Sequence, residues 1–139
     1  MSEAETLHGE DHVRRYRETD GAVGHIWRHG AKVLLLTTTG RTSGEPRTTP
    51  LIYENAGDDY VVVASKGGAQ KHPGWYRNLA KDPDVEVQIE GDVFPARART
   101  ANGDERERLW ARAAEQWPAY DDYQTRTDRE IPVVVLERS

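Results

Sequence analysis

Val33-Leu-Leu-Leu-Thr-Thr-Thr-Gly-Arg-Thr-Ser-Gly-Glu-Pro-Arg-Thr-Thr-Pro-Leu51 decides how the rest of the chain is read. Val33–Leu36 is an unbroken apolar run, and the threonines after it keep β-branched stiffness, so a strand over Lys32–Thr39 is expected. Gly40 and Gly44 bracket Arg41, Thr42 and Ser43, and Pro46 blocks a helix. The strand must therefore turn tightly and leave as a second strand over Arg47–Glu54. The tip of this hairpin carries a guanidinium, two hydroxyls and several free backbone N–H groups. Each donates and none adds negative charge, which suits an oxyanion such as a phosphate. A lone GRTSG run is equally compatible with a solvated turn.

A second stretch, Ser65-Lys-Gly-Gly-Ala-Gln-Lys-His-Pro-Gly-Trp-Tyr-Arg-Asn78, shifts that balance. It ends a strand, loops through two glycines and enters a helix at Pro73. Lys66, Lys71 and Arg77 lie in it with no acidic residue, on a chain of formal net charge -5. A local excess of cations on an acidic protein favours an anionic small ligand over nucleic acid. The backbone at Lys66-Gly67-Gly68 can approach a ligand closely, and Pro73 at a helix start leaves N–H groups facing the loop.

The 139 residues are expected to form one domain, 1–139, with 1–10 frayed. The absence of cysteine excludes disulfides, cysteine metal sites and thiol catalysis. No apolar run approaches the ~20 residues of a membrane span and none resembles a signal peptide, so a cytoplasmic location is expected. His8 and His12, like His25 and His29, stand at i,i+4 spacing. Neither pair has a carboxylate placed as in metalloproteases, so solvated helix faces are expected rather than a metal site.

Along the chain, helical turns are expected over Asp11–Thr19 and again over Ala22–Arg28, with Val13, Tyr16, Val23, Ile26 and Trp27 as their apolar stripe. Tyr60–Ala64 reads as a central strand, and Pro73–Lys81 as a helix with Trp75 and Leu79 on one face. Val85–Glu90 alternates with period two, Gly91-Asp92 reads as a type II′ hairpin loop, and Val93–Thr100 returns, with an edge or bulge at Pro95. Asn102 and Glu105 read as a capping box for a helix over Gly103–Gln116. After Pro118, Ala119–Thr127 presents Tyr120 and Tyr123 on one side, and Ile131–Leu136 is the last strand. Six short strands with hairpins and a few helices imply a mainly β (α+β) fold, a small antiparallel barrel with helices covering its openings. A hydrolase triad of Ser65, His72 and Asp121 is set aside, because no G-x-S-x-G elbow surrounds Ser65.

With these segments laid out, the chain resembles the deazaflavin-dependent nitroreductase and quinone reductase family. Its members use coenzyme F420 and belong to the split β-barrel flavin-binding proteins. The resemblance rests on LLLTTTGRTSGEPRTTPL at Leu34–Leu51, VVVASKGGAQKHPGWYRNL at Val61–Leu79 and YDDYQTRTDREIPVVVLER at Tyr120–Arg138, in that order. It implies that Arg41, Thr42 and Ser43 help hold the coenzyme's phosphate side chain. It further implies that Arg47, Thr48, Thr49, Pro50 and Leu51 lie along the deazaflavin ring. Ala64, Ser65 and Lys66 match a wall whose hydroxyl faces the reacting region and whose lysine reaches the phosphate. Gly74, Trp75, Tyr76, Arg77 and Asn78 match the helix start that borders the coenzyme, and the N-terminal helical segment is implied to lie near the ligand. Tyr120 and Tyr123 match aromatic positions of the acceptor pocket, while Ile52 and Trp117 stand where nitroreductase-active relatives carry tyrosines.

The implied activity is hydride transfer from reduced coenzyme F420 to a quinone, enone or nitro compound. Ser65, Tyr120 and Tyr123 are the candidate catalytic hydroxyls, either polarising the acceptor oxygen or supplying a proton. FMN in the same barrel is the alternative cofactor, and a carrier without turnover is the alternative function. No metal and no nucleic-acid partner is implied. The resemblance leaves open monomer or homodimer, and peripheral membrane contact where quinones reside.

Overall fold

A computed structural model describes residues 6–139. The fraying expected over 1–10 falls partly on residues 1–5, which lie outside the described residues. The elements are α1 (Gly9–Glu18), β1 (Val33–Thr39), β2 (Pro46–Ala56), β3 (Asp59–Val63), α2 (Gly74–Lys81), β4 (Asp84–Ile89), β5 (Asp92–Thr100), α3 (Gly103–Gln116), α4 (Ala119–Thr125) and β6 (Val133–Arg138). The strands close a barrel in the order β1-β2-β3-β6-β5-β4, every pair antiparallel. Among the described residues, no helix is long and apolar enough to cross a membrane.

The continuous apolar runs are explained by burial on both faces of the barrel wall. Leu34 and Leu36 point inward with Val62, Val87, Phe94, Val134 and Leu136. Val33 and Leu35 point outward under Val13 and Tyr16 of α1, while Val61, Val133 and Val135 point outward under Leu109 of α3. Trp75 and Leu79 of α2 join the interior cluster, so this helix plugs the barrel. Each fully buried side chain of this kind contributes about 1.5–3 kcal/mol. Pro95 falls just past the last β5–β6 pair, Ala96–Arg138, and its carbonyl still accepts the Ser139 N–H at 3.0 Å, so the missing proline N–H costs the ladder at its end rather than its middle.

Four expectations are corrected. Ala22–Arg28 is not helical: Gly24 sits at φ +114, and a Cβ there would lie 3.1 Å from the His12 ring. The β4–β5 loop is Glu90-Gly91 rather than Gly91-Asp92, because Ile89 pairs with Asp92. Glu90 takes φ 55, and its N–H donates to the Tyr16 hydroxyl at 2.8 Å. That hydroxyl in turn donates to Val33 O at 3.0 Å, so a tyrosine on α1 fixes the loop. The capping box does not form. Asn102 makes no capping bond, and Glu105 instead receives Arg99 through two nitrogens at 2.6 and 2.9 Å.

The fourth correction concerns the histidines. His12 is 2% exposed, and its Nε2–H donates to Gly24 O at 2.9 Å. His25 lies outside every helix, and His29 sits in a single 3-10 turn, Arg28–Gly30, at φ 57 rather than on an α-helical face. Burial holds the His12 imidazole below its ordinary value, so the unfolded chain binds a proton that the folded chain refuses. As pH falls through the unfolded value of about 6.5, stability is therefore lost, by at most about 1.4 kcal/mol per pH unit for this one proton. Urea titrations at about pH 7.5 and about pH 5.5 are expected to show the decline. His12→Gln should reduce its slope, and an unaltered slope in that variant would place the linkage elsewhere.

Candidate functional site

Two hollows lie next to each other on the barrel. The main cavity, ≈ 440 Å³, is walled on one side by Pro50, Leu51 and Ile52 of β2. Opposite them stand Ser65 and Lys66 from the loop after β3, and Pro73, Gly74 and Trp75 from the start of α2. Trp117, Tyr120 and Tyr123 close a third side from the α3–α4 corner. The second hollow, ≈ 490 Å³, runs between the hairpin tip at Thr39–Gly44 and Lys81-Asp82.

The hairpin tip is held in place rather than loose. Asn78 is buried; its Nδ2 donates to Thr38 Oγ1 at 3.1 Å, and its Oδ1 accepts from Arg41 N at 3.2 Å and Arg41 Nη1 at 2.8 Å. Lys81 Nζ donates to Arg41 O at 2.7 Å. Arg41 Nη1 also reaches Gly74 O at 3.4 Å, which places this guanidinium between the two hollows. The expected supply of free N–H groups at the tip is smaller than its composition implies. Those of Gly40, Arg41, Gly44 and Glu45 are spent on Glu45 O, Asn78 Oδ1, Gly40 O and Ser43 Oγ.

The other side of the cavity is aromatic. Trp27 and Trp117 stack at 5.8 Å between centroids with 19° between planes, and His12 lies 6.0 Å from Trp27. Trp117 is positioned by its neighbour Gln116, whose Oε1 accepts from Lys32 N at 2.8 Å and whose Nε2 donates to Tyr53 O at 2.7 Å. Tyr120 is buried and meets Tyr123 edge-on at 6.2 Å. Burial, and secondarily the neighbouring phenol, raises the Tyr120 pKa far above that of a free tyrosine, so its hydroxyl keeps its proton.

Around the main cavity the structure brings together Pro50, Leu51, Ile52, Ser65, Lys66, Gly74, Trp75, Trp117, Tyr120 and Tyr123. Arg41, Thr42 and Ser43 line the second hollow. The remaining sequence candidates lie elsewhere. Arg47 is exposed opposite Thr38, Thr48 bonds Thr37 and Arg17, and Thr49 pairs with Leu36. Ala64 is in the barrel core, Tyr76 bonds Thr100 Oγ1 at 2.9 Å, Arg77 is exposed, and Asn78 acts through Arg41. The set-aside triad is also dispersed: His72 Nδ1 faces Arg129 and Asp121 accepts from Trp110 Nε1. Among the described residues no cluster of three or more His, Cys, Asp or Glu forms a metal-binding group.

Residues that sequence reasoning missed at this site are Leu7, His8, Gly9, His12, Trp27, Val33, Val63 and Pro73. Trp27 was assigned to packing and His12 to a wet helix face. The family resemblance implies that their segment lies near the ligand, but nothing in the residues themselves singles out His12 or Trp27 within it.

Comparison with known proteins gives the family and the fold. The family model described as F420H(2)-dependent quinone reductase matches residues 9–138. An F420H(2)-dependent quinone reductase of Mycobacterium tuberculosis is 44% identical over 130 residues, covering 91% of this chain and 87% of that one. Among solved structures, one described as an F420-H2 dependent reductase superposes with TM-score 0.70 at 47% identity, covering 76% of this chain and 93% of the other. Another, described as a domain-swapped dimer, gives TM-score 0.73 at 43% identity over 90% of this chain and 96% of its own.

Proposed function

The chain belongs to the F420H(2)-dependent quinone reductase family, and we propose that the ≈ 440 Å³ cavity is where the reduced coenzyme and its quinone acceptor meet. The protein is an oxidoreductase that passes a hydride from reduced coenzyme F420 to a quinone. One observation carries the placement. On a chain with 24 acidic residues, no aspartate or glutamate is found among the described residues that line this cavity, whereas Lys66 is. The cavity lies within the ~300–1,000 Å³ range of small-molecule sites. Its apolar walls and single cation fit a flat ring that carries an anionic tail.

The bound coenzyme supplies a two-electron hydride donor with a phosphate and glutamate tail. The chain's own tasks are orientation, exclusion of water and polarisation. Pro50, Leu51 and Trp75 present flat apolar surface that sets the face of a planar ligand. Lys66, with Arg41 at the rim, pairs with negative charge on the tail. Trp27, Trp117, Ile52 and Val33 hold an aromatic acceptor and keep water out, so that reacting atoms can come within about 3–3.5 Å. Tyr120 and Tyr123, with Ser65, direct hydroxyls at the acceptor oxygen and stabilise the negative charge that develops there. Ile26, 52% exposed and adjacent to Trp27, supports quinone entry from a lipid surface touched peripherally. The neighbour described as a domain-swapped dimer supports a homodimer.

Parallel fluorescence titrations with the deazaflavin coenzyme and FMN test this reading. The deazaflavin is expected to bind more tightly, and its reduced form to be oxidised when menadione is added. Tighter binding of FMN, or no oxidation with any of a panel of quinones, would overturn it.

A further inference from the structure

We infer that Arg129 is a positioning residue that sets Lys66 for its pairing with the coenzyme's anionic tail; this rests on the placement of that tail beside Lys66 given above. Arg129 lies between α4 and β6, outside every hollow described. Its guanidinium is spent on the loop that carries Lys66: Nε donates to Ala69 O at 2.7 Å, Nη2 to Ser65 O at 2.7 Å and Nη1 to Ala64 O at 3.2 Å. A fourth bond runs from Nη1 to His72 Nδ1 at 3.0 Å. The planar fork thus grips the backbone immediately before Lys66 and three residues after it.

The grip matters because Lys66 itself is in the left-handed region, φ 45, where a side chain is disfavoured. Local turn bonds hold it only in part, through Gly68 N to Ser65 O at 2.9 Å and Ala69 N to Lys66 O at 3.2 Å. The same loop is pressed against α4 so closely that a Cβ on Gly68 would stand 2.6 Å from Tyr123 O. Gln70 Nε2 donates to Arg126 O at 3.0 Å and Thr127 Oγ1 to Gln70 Oε1 at 3.1 Å, which joins the two loops on either side of Arg129. Arg129 also differs from the surface arginines. Among the described residues it forms no ion pair with a carboxylate, whereas Arg97, Arg99 and Arg138 each do. Besides His72 Nδ1, its contacts are three carbonyl oxygens, whose partial negative charges would otherwise face the approach of an anion. Arg129 therefore fixes the backbone from which Lys66 extends and removes acceptors from beside it, without touching the ligand.

Such a role differs measurably from a general contribution to stability. Fluorescence titration of coenzyme F420 into Arg129→Ala, Lys66→Ala and the double variant is expected to show about tenfold or greater weakening in each single variant. The double variant should bind no more weakly than the weaker single one, because Arg129 acts through a lysine already removed. Arg129→Lys guards against a variant that does not fold. One ammonium cannot serve four acceptors arranged around a planar fork, so it should also lose affinity. Added guanidinium should restore binding to Arg129→Ala and not to Lys66→Ala, and the KM for the quinone should stay as in the parent. Parent-like coenzyme affinity in both Arg129 variants overturns the inference alone, as do losses that multiply in the double variant. Parent-like affinity in Lys66→Ala instead overturns the placement of the tail, and the inference falls with it.

Discussion

Replacing Trp75 by alanine is expected to cost about 3–5 kcal/mol of stability, the range for removing a large buried aromatic, and to weaken coenzyme binding as well. The indole is 8% exposed and belongs to the barrel-interior cluster, yet one side of it faces the main cavity. Truncation therefore opens a void below the site and removes a flat wall within it. Urea unfolding should reveal the first loss, and a coenzyme titration well below the variant's unfolding midpoint the second. Trp75→Phe should recover most of the stability. An unchanged urea midpoint for Trp75→Ala would mean that the indole does not help to fill the barrel.

The second large effect is on affinity. Lys66→Ala, and separately Arg41→Ala, should weaken coenzyme binding by about 1.5–3 kcal/mol, the worth of a charged hydrogen bond. That corresponds to roughly ten- to a hundredfold in dissociation constant. Lys66 is exposed, so the gap between parent and Lys66→Ala should narrow as salt is raised. Arg41→Ala has a second consequence, because Arg41 Nη1 also holds Asn78 Oδ1 at 2.8 Å and so helps to dock the hairpin tip on α2. Titrations at low and high salt separate the two cases. If both variants bind as the parent does, the anion is held elsewhere.

Much of the barrel was legible because its strands announce themselves. Period-two alternation in Val85–Ile89 gave one wet face, and unbroken runs at Val33–Leu36 and Val133–Leu136 gave strands covered on both sides. The loops were less legible. The shift of the β4–β5 turn by one residue depends on the Tyr16 hydroxyl, which comes from 74 positions away and bonds the Glu90 N–H. The missing capping box likewise reflects competition: Arg99, on the neighbouring strand, offers Glu105 a two-pronged partner stronger than a backbone amide. Of the residues that line the two hollows, those supplied by glycine-rich or proline-marked turns were readable, as with Arg41, Lys66 and Trp75. His12, Trp27 and Arg129 were not, because their meaning lies in what the closed barrel brings beside them. His12 and Trp27 read as ordinary amphipathic residues, and nothing local distinguishes Arg129 from the other arginines of the chain.

The cavity wall is collected from stretches as far apart in sequence as Leu7 and Tyr123, and Tyr123 packs there in a cluster that draws on Val63 of β3, Tyr120 of α4 and Ile131 just before β6. No partial fold owns the complete pocket. Occupancy and the folded population are thus tied by mass action: ligand at a hundredfold excess over its dissociation constant adds about 2.7 kcal/mol to the folded state. In a cell, the supply of the deazaflavin would then govern how much of this protein survives proteolysis as well as how fast it turns over.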